Sequence, residues 1–259
     1  MSGQKVKVAL LFGGRSAEHD ISLISAAAVF RNLDKKNFDI ISIYINPEGR
    51  WRHVESPLLP KDELIKGTFL SFLPWGGQNT GIPLDADIYF PALHGPYGED
   101  GTIQGFLEMA DVPYVGAGVL SSAGCMDKAA AKVLFKAKGL PIVKHLTIRE
   151  PAWRSGKKEI LQQITDELRP PIFVKPANMG SSIGISKVAN LRKTADAVEL
   201  ALKFDTKVIV EQGVAGRELE CSVLGNEKPR VSLPGEVLPY REFYDYSDKY
   251  IDGKTQFKI

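Results

Sequence analysis

The pattern that most restricts the fold lies between Lys5 and Leu33. The apolar run Lys5–Phe12 predicts a buried strand, Gly13-Gly14 predicts a tight turn, and residues 16–33 predict a helix with apolar positions on one side. A buried strand that passes through a glycine turn into a helix favours a right-handed βαβ arrangement around a parallel sheet. We therefore expect an α/β domain in this part of the chain.

The same alternation continues to about residue 115. Phe38–Ile45 is a second β-rich run, Pro47-Glu48-Gly49 predicts a turn, Ile88–Leu93 predicts a short buried strand, and Thr102–Asp111 predicts a short helix. These elements indicate one Rossmann-like α/β domain with a parallel sheet.

Beyond this domain, helices alternate with strands that we expect to be mainly antiparallel. The predicted helices are 127–138, 158–168 and 190–204, and the predicted strands are 142–148, 172–174, 185–188, 207–212 and 218–224. The composition of Glu150–Lys157 predicts a connection, and a loop rich in glycine and serine, Pro176–Gly184, joins two strands into a hairpin. The fold class is α/β followed by α+β.

Composition narrows the choice of partner. A length of 259 residues corresponds to roughly two domains. With 33 basic and 31 acidic residues the net charge is only +2, which does not support a nucleic-acid or anionic-membrane surface. We expect a small-molecule partner.

The compartment is inferred from cysteines and apolar runs. Cys125 and Cys221 are far apart and have no metal-ligand spacing, which favours a reducing environment. The apolar runs are shorter than the roughly 18 residues of a membrane helix, and Gly13 and Gly14 interrupt any signal-peptide core. We expect a soluble cytoplasmic protein.

The carboxyl end has an unusual composition. Tyr240–Ile259 contains many charges and no apolar periodicity, and the final residues resemble the beginning of a strand. We expect the sequence to be part of a longer protein.

The turn after the first predicted strand contains the first candidate, Glu18. It lies where the carboxyl end of a strand meets a helix, which is the usual ligand edge of an open α/β sheet. A carboxylate in a first helical turn is also favoured by the helix dipole, so spacing alone leaves its role open. The turn matches neither the dinucleotide fingerprint nor the Walker loop.

His94 begins a second glycine-rich segment, His94–Gly101, directly after a predicted buried strand. Such a loop brings backbone close to a ligand. The alternative is a structural turn in which a backbone carbonyl holds His94 and Asp100 caps the next helix.

Lys175 ends a predicted strand and is followed by the loop that contains Ser181 and Ser182. A lysine beside glycine and serine backbone donors suits a polyphosphate. The alternative is a surface lysine and a loose hairpin tip. Lys128, near a helix start, would by itself be taken as solvated.

Glu211 and Glu218 flank a turn that contains two glycines. A carboxylate at a cleft can accept hydrogen bonds from both ribose hydroxyls of a nucleotide. Carboxylates at strand ends are also common on surfaces, and spacing does not decide between these roles.

Taken in order, several motifs resemble the D-alanine:D-alanine ligase family of ATP-grasp enzymes over essentially the whole chain. They are Gly-Gly-x-Ser-Ala-Glu-His-Asp-Ile-Ser, Leu-His-Gly-x-x-Gly-Glu-Asp-Gly-Thr-Ile-Gln-Gly, Pro-Tyr-Val-Gly, Met-Asp-Lys, Val-Lys-Pro with Gly-Ser-Ser-Ile-Gly, and Tyr-Asp-Tyr-x-x-Lys-Tyr. The first two motifs are specific to that family, whereas the Lys-Pro and Gly-Ser-Ser signals alone indicate only ATP-grasp.

The resemblance implies an enzyme of peptidoglycan precursor synthesis that joins two D-alanines through an acyl phosphate at the expense of ATP. It further implies an amino-terminal D-alanine-binding domain (1–116), a central ATP-grasp subdomain (117–211) and an incomplete carboxyl-terminal one (212–259). A homodimer is also implied.

The resemblance assigns roles to the candidate residues. Glu18 would bind the ammonium of the first D-alanine in a network with Ser181 and Tyr250, and His94 would line that pocket. The remaining assignments concern ATP: Lys128, Lys175, Ser182 and Lys249 at the phosphates, and Glu211 and Glu218 at the adenine and ribose.

Departures from the family pattern leave alternatives open. The family's ligands for Mg²⁺ (or Mn²⁺) lie downstream of the tyrosine-rich segment, beyond residue 259, so we expect this chain alone to be inactive. The alternatives are a D-alanine:D-lactate or other ATP-grasp ligase, or an inactive fragment that only binds substrate or nucleotide.

Overall fold

The computed structural model describes residues 4–70, 86–238 and 255–259. The chain divides into two compact units, Met1–Leu134 (unit 1) and Phe135–Ile259 (unit 2). Each unit is described by itself.

Unit 1 alternates strands and helices, as the sequence predicts. Its strands are β1 (Val6–Gly13), β2 (Phe38–Ile45), β3 (Trp51–Val54), β4 (Thr68–Leu70) and β5 (Ile88–Pro91). Its helices are α1 (His19–Asn32), α2 (Lys61–Leu64), α3 (Thr102–Met109), α4 (Val119–Met126) and α5 (Lys128–Ala137), of which α5 crosses the unit boundary.

The described strands of unit 1 form one sheet in the order β4-β3-β2-β1-β5. The strands β2, β1 and β5 are parallel, whereas β3 and β4 pair antiparallel. The expected parallel sheet is therefore wrong for these two strands. For β3 the reason is the turn at Pro47–Gly49, because a connection this short joins antiparallel neighbours only.

Both faces of this sheet are covered. Ala9 and Leu11 of β1 pack on one face with Ile103 of α3, and Leu10 and Phe12 pack on the other face with residues of α1 such as Ala26. A strand buried on both sides requires a continuous apolar run rather than alternation. This requirement explains the sequence of β1.

The pairing of β1 with β5 positions the candidate site. Leu11 is opposite Pro91, and the amide of Ala92 donates to the carbonyl of Leu11, 2.8 Å away. The two parallel strands therefore end side by side, and the loops that follow them emerge at the same edge of the sheet.

The described strands of unit 2 form three sheets, of four, three and two strands. The strands are β6 (His145–Arg149), β7 (Ile172–Pro176), β8 (Ser186–Val188), β9 (Lys207–Gln212), β10 (Glu218–Glu220), β11 (Val223–Leu224), β12 (Arg230–Val231), β13 (Gly235–Leu238) and β14 (Gln256–Lys258). The helices are α6 (Glu150–Ser155), α7 (Lys157–Glu167) and α8 (Thr194–Ala201), with a 3-10 turn at Leu191–Lys193.

The main sheet of unit 2 has the order β6-β9-β7-β8 among the described strands, and all its pairings are antiparallel. The helices α6, α7 and α8 supply Trp153, Ile164 and Val198 to its core. The expected α+β arrangement is confirmed here, including the hairpin formed by β7 and β8.

Three local predictions for unit 2 were wrong. Glu150–Ser155 is a helix rather than a connection, because Pro151 is compatible with a first helical turn and Trp153 is fully buried. The predicted helix from 190 to 204 divides into the 3-10 turn and α8. The predicted strand from 218 to 224 divides into β10, which pairs with β13, and β11, which pairs with β12.

Across the described residues, no helix has both the length and the apolar character that a membrane span requires.

Candidate functional site

The turn after β1 is restricted to glycine. Gly13 and Gly14 have φ values of +90° and +97°, in the left-handed region. A Cβ atom at Gly13 would overlap the carbonyl of Ile45 and lie 3.0 Å from the ring of Tyr44. This turn brings the chain from β1 into α1 without a side chain to obstruct it.

Glu18 is the N-cap residue of α1, directly before its first helical residue, and is only 2% exposed. Its backbone amide donates to Ser16 Oγ at 3.0 Å. A Cβ atom at Gly95 would overlap Glu18 Oε2 and lie 2.6 Å from Ser16 Oγ. The carboxylate therefore faces the loop that follows β5. This loop begins beside the end of β1, because β1 and β5 are parallel neighbours.

His94 lies in that loop beside α1. Its Nε2 atom is 2.8 Å from Ser25 Oγ, on the second turn of α1. From the sequence, a backbone carbonyl was the alternative partner of this imidazole. In the structure the partner of Nε2 is a hydroxyl. Glu18 and His94, predicted separately from two motifs, thus flank the same glycine, Gly95.

Acidic side chains fix the rest of this loop. Glu99 Oε2 accepts from the amide of Gly95 at 2.7 Å. Asp100 accepts from the amides of Tyr97 and Thr102, at 2.9 and 3.0 Å, so it caps the start of α3 as the structural alternative predicted. The loop is both structurally stabilised and adjacent to Glu18, so the two interpretations are compatible.

Ser22 is a structural residue of the site that sequence reasoning missed. It is fully buried, accepts from the amide of Gly13 at 2.8 Å, and donates to the carbonyl of Ala92 at 2.5 Å. One hydroxyl therefore ties the turn after β1 to the loop after β5. Two serines one turn apart on a helix, Ser22 and Ser25, were the available signal.

His19 was missed as well, and it holds the glycine turn in place. Its Nδ1 atom is 2.7 Å from the carbonyl of Gly14, which can only accept, so Nδ1 carries a proton. Its Nε2 atom is 3.3 Å from the hydroxyl of Tyr44. Burial raises the pKa of Tyr44, and nearby Glu48 and Asp20 add to that effect, so Tyr44 stays a neutral donor.

In unit 2, Lys175 and Glu211 form an ion pair. Lys175 lies opposite Ile209 and Glu211 lies opposite Phe173, so the two side chains are diagonal neighbours on β7 and β9. Lys175 Nζ is 2.5 Å from Glu211 Oε2, and the two side chains are 24% and 8% exposed. Two residues that the sequence assigned to a nucleotide are therefore in contact.

The loop between β7 and β8 has an unusual backbone. Ser181, Ser182 and Gly184 have φ values of 48°, 60° and 72°. Backbone of this kind forms concavities that bind anions through successive amides. Asp205 anchors the loop base, because its Oδ2 accepts from the backbone and side-chain amides of Asn178 at 2.7 and 2.9 Å.

The other predicted residues that the structure describes lie on separate elements. Lys128 is the first residue of α5, and Glu218 is exposed on β10, in a different sheet from Glu211. Lys249 and Tyr250 lie outside the described residues. The described part of the chain contains no cluster of three or more histidine, cysteine or carboxylate side chains suited to a metal ion.

Sequence profiles identify both parts of the chain. Residues 7–117 match the profile of the D-ala D-ala ligase N-terminus, and residues 134–259 match that of the D-ala D-ala ligase C-terminus.

Individual relatives agree with these profiles. A D-alanine–D-alanine ligase of Natranaerobius thermophilus is 42% identical over 99% of this chain and 73% of its own length. The Enterococcus hirae ligase of the same description is 45% identical over 98% of this chain and 74% of its own length.

Solved structures show the same relationship. The D-alanine–D-alanine ligase of Coxiella burnetii superposes with a TM-score of 0.80 at 35% identity, covering 90% of this chain and 71% of that one. The VanG D-Ala:D-Ser ligase of Enterococcus faecalis superposes with a TM-score of 0.78 at 36% identity, covering 98% of this chain and 76% of that one. With profiles matched across both units and relatives this similar, the chain belongs to the D-alanine–D-alanine ligase family.

Proposed function

We propose that the protein is an ATP-dependent ligase that joins two D-alanine molecules into D-alanyl-D-alanine for peptidoglycan precursor synthesis. The observation that carries the proposal is that the buried carboxylate of Glu18 faces the loop that contains His94 and Gly95, which brings together the two motifs specific to this family.

The reaction has two steps. The carboxylate of the first D-alanine attacks the γ-phosphorus of ATP, the bond to the β-phosphate oxygen breaks, and ADP leaves. The amine of the second D-alanine, once it has lost a proton, attacks the acyl phosphate, and inorganic phosphate leaves as the peptide bond forms. Both steps require a site from which water is excluded, since water would hydrolyse the intermediate.

Glu18 is proposed to bind the ammonium of the first D-alanine. It is buried, and the absence of a side chain at Gly95 lets its Oε2 atom lie against the loop that follows β5. Removing water strengthens the attraction between a carboxylate and an ammonium group. His94 is proposed to line this pocket, and Ser181 and Tyr250 to complete the hydrogen-bond network.

Most of the residues proposed for the nucleotide lie in unit 2. Lys175 combines a cationic side chain with the left-handed backbone of the following loop, which suits a phosphate chain. Ser182, Lys128 and Lys249 are proposed to bind phosphates as well, and Glu211 and Glu218 to contact adenine and ribose. In the ion pair with Glu211, Lys175 is already held at the end of β7.

The family uses Mg²⁺, which would neutralise charge on the β- and γ-phosphates. No group of side chains in the described ranges suits this ion, so no residue is assigned to it.

The domain limits are also a proposal, with a D-alanine-binding domain at 1–116 and ATP-grasp subdomains at 117–211 and 212–259. The amino-terminal profile ends at residue 117, which supports the first limit. We further propose a homodimer and a cytoplasmic location, where ATP is available.

The acceptor substrate has a second candidate. One solved relative of similar identity is a D-Ala:D-Ser ligase, so fold and identity alone do not select D-alanine as the second substrate. D-Serine and D-lactate therefore belong in the test.

The test is calorimetric binding to the 259-residue chain. D-Alanine and a non-hydrolysable ATP analogue should each bind, and L-alanine should bind much more weakly. Equal affinity for the two enantiomers would contradict the proposed D-alanine pocket. Parallel incubation with ATP, Mg²⁺ and each acceptor, read by product mass, would identify any product.

A further inference from the structure

The loop between β7 and β8 (residues 177–185, the serine loop) is held at its start by Asp205. The Oδ2 atom of Asp205 accepts from the backbone amide of Asn178 at 2.7 Å and from its side-chain amide at 2.9 Å. The Oδ1 atom accepts from the amide of Lys207, the first residue of β9, at 3.0 Å. One half-buried carboxylate therefore joins the start of this loop to the start of β9.

The residue before Asp205 meets the end of the same loop. A Cβ atom at Gly184 would lie 2.7 Å from the ring of Phe204 and 2.8 Å from Pro176, so the absence of a side chain at Gly184 lets these groups pack closely against it. Phe204 and Asp205 both lie in the short connection between α8 and β9. This connection consequently contacts the serine loop near both of its ends.

Holding both ends matters because the middle of the serine loop has an unfavourable backbone. Ser181 and Ser182 have positive φ values of 48° and 60°, which residues with a side chain rarely adopt. Such a conformation persists only where the surrounding structure fixes it. Since successive amides in backbone of this kind bind anions, the contacts that fix the conformation also prepare the loop for an anion.

The strand β9 fixes the neighbouring cation as well. Lys175 of β7 pairs with Glu211 near the far end of β9. Glu211 and Asp205 therefore attach two groups, the ammonium of Lys175 and the amides of the serine loop, to opposite ends of one strand. Because β9 lies between β6 and β7 and contributes Val208 and Val210 to the core, a rigid element sets the spacing of the two groups.

We propose that Asp205 is a positioning residue for the phosphate chain of the nucleotide, a role that rests on the ATP binding proposed above. It acts through Asn178, whose position keeps the amides around Ser181 and Ser182 directed at the anion. The role requires a carboxylate, because both of its oxygens accept hydrogen bonds. Asparagine has a single acceptor oxygen, so Asp205→Asn would place an amide NH₂ group against the N–H donors of either Asn178 or Lys207.

The test compares a ligand that has phosphates with one that has none. Calorimetry on the 259-residue chain measures the affinity for AMP-PNP, a non-hydrolysable ATP analogue, and ¹H–¹⁵N spectra measure the weaker binding of adenosine. If Asp205→Asn leaves the serine loop in its binding conformation about a tenth of the time, the affinity for AMP-PNP falls about tenfold and the affinity for adenosine stays unchanged. A general loss of stability in unit 2 would weaken both ligands alike.

The control is Asp166→Asn, which makes the same chemical change at an exposed position of α7 and should alter neither affinity. A second variant, Asn178→Ala, removes the side-chain donor and keeps the backbone donor, so the affinity for AMP-PNP should fall only about twofold. Equal AMP-PNP binding by the wild type and Asp205→Asn, or equal weakening of both ligands, would overturn the role of Asp205 alone. A wild-type chain that binds neither ligand would overturn the proposed ATP site, and the role of Asp205 with it.

Discussion

The hydroxyl of Ser22 connects two loops that are about 80 residues apart in the chain. By accepting from Gly13 and donating to Ala92, it satisfies two backbone groups where β1 and β5 end. A helix facing parallel strands can place a small polar residue over both strand ends. The position of Glu18 and His94 therefore depends on a residue without a chemical role of its own.

Ser22→Ala should destabilise unit 1 by about 1 to 3 kcal/mol, because the buried amide of Gly13 loses its acceptor. Urea unfolding followed by circular dichroism measures the effect. Ser121→Ala, at an exposed position of α4, is the control, with an expected change below about 0.5 kcal/mol. Equal stabilities for the two variants would mean that water replaces the Ser22 hydroxyl.

Gly95→Ala should abolish D-alanine binding. The new Cβ atom would overlap Glu18 Oε2, and the φ of +68° is unfavourable for alanine. Gly105→Ala is the control, since its Cβ atom would meet only Val119, at 4.0 Å, and alanine favours the helix α3. Calorimetric titration with D-alanine compares the two, and full binding by Gly95→Ala would mean that Glu18 does not contact the substrate.

The family resemblance predicted one pocket for Glu18 and His94, and the structure shows the physical basis: each follows a strand, and the parallel neighbours β1 and β5 end at one edge of the sheet. Sequence reasoning could not find Ser22, Ser25 or His19, since their partners are backbone groups or side chains distant in sequence. The Lys175–Glu211 contact was also out of reach, because strand register sets it.

At the scale of elements, the sequence predicted the long apolar strands well and missed several of the shorter elements. The eight-residue strand β2 was predicted with its observed limits, Phe38–Ile45. The strands β3 and β4 have only four and three residues and were not predicted. The helix α6 was missed because proline, serine and glycine suggested a connection, although proline at a helix start is favourable.

A cluster around Glu199 connects three helices of unit 2. Its carboxylate accepts from Trp153 Nε1 at 2.9 Å, Arg154 at 2.6 Å and Lys157 at 3.2 Å. Hydrogen bonds, first from Trp153 and then from Arg154, lower the pKa of Glu199 to about 2. Since α6, α7 and α8 carry these groups, the cluster fixes their packing.

The Glu199 cluster should make unit 2 less stable in acid. Because the pKa is lower in the folded state, the stabilisation is complete above the ordinary value of 4.5 and is lost as pH falls from there towards 2. The side chain is 36% exposed, so solvent screening limits the effect to about 1 kcal/mol. Urea unfolding at pH 7 and pH 3 follows Trp153 fluorescence after the other tryptophans are replaced by phenylalanine.

Glu199→Gln should remove this difference between pH 7 and pH 3, since glutamine does not titrate. The control is Glu159→Gln, at an exposed position of α7, which should keep the wild-type pH dependence. An unchanged pH dependence in Glu199→Gln would assign the acid sensitivity to other carboxylates.

At the scale of the whole molecule, each unit has its own hydrophobic core. Glu18 and His94, proposed for the first D-alanine, lie in unit 1, and the Lys175–Glu211 pair lies in unit 2. Substitutions without shared contacts usually have additive free energies. Binding of the two ligands should therefore respond to different substitutions.

Glu18→Gln should weaken D-alanine binding by about 1.5 to 3 kcal/mol, the value of a charge-assisted hydrogen bond, and should leave the affinity for the ATP analogue unchanged. The combined change Lys175→Met with Glu211→Gln should have the opposite effect, and it removes both partners so that no buried charge is left alone. Calorimetry on both variants and on the triple variant measures each affinity separately. If Glu18→Gln weakened both ligands equally, Glu18 would be a structural residue of the β1–α1 turn, and the proposed division between the units would be wrong.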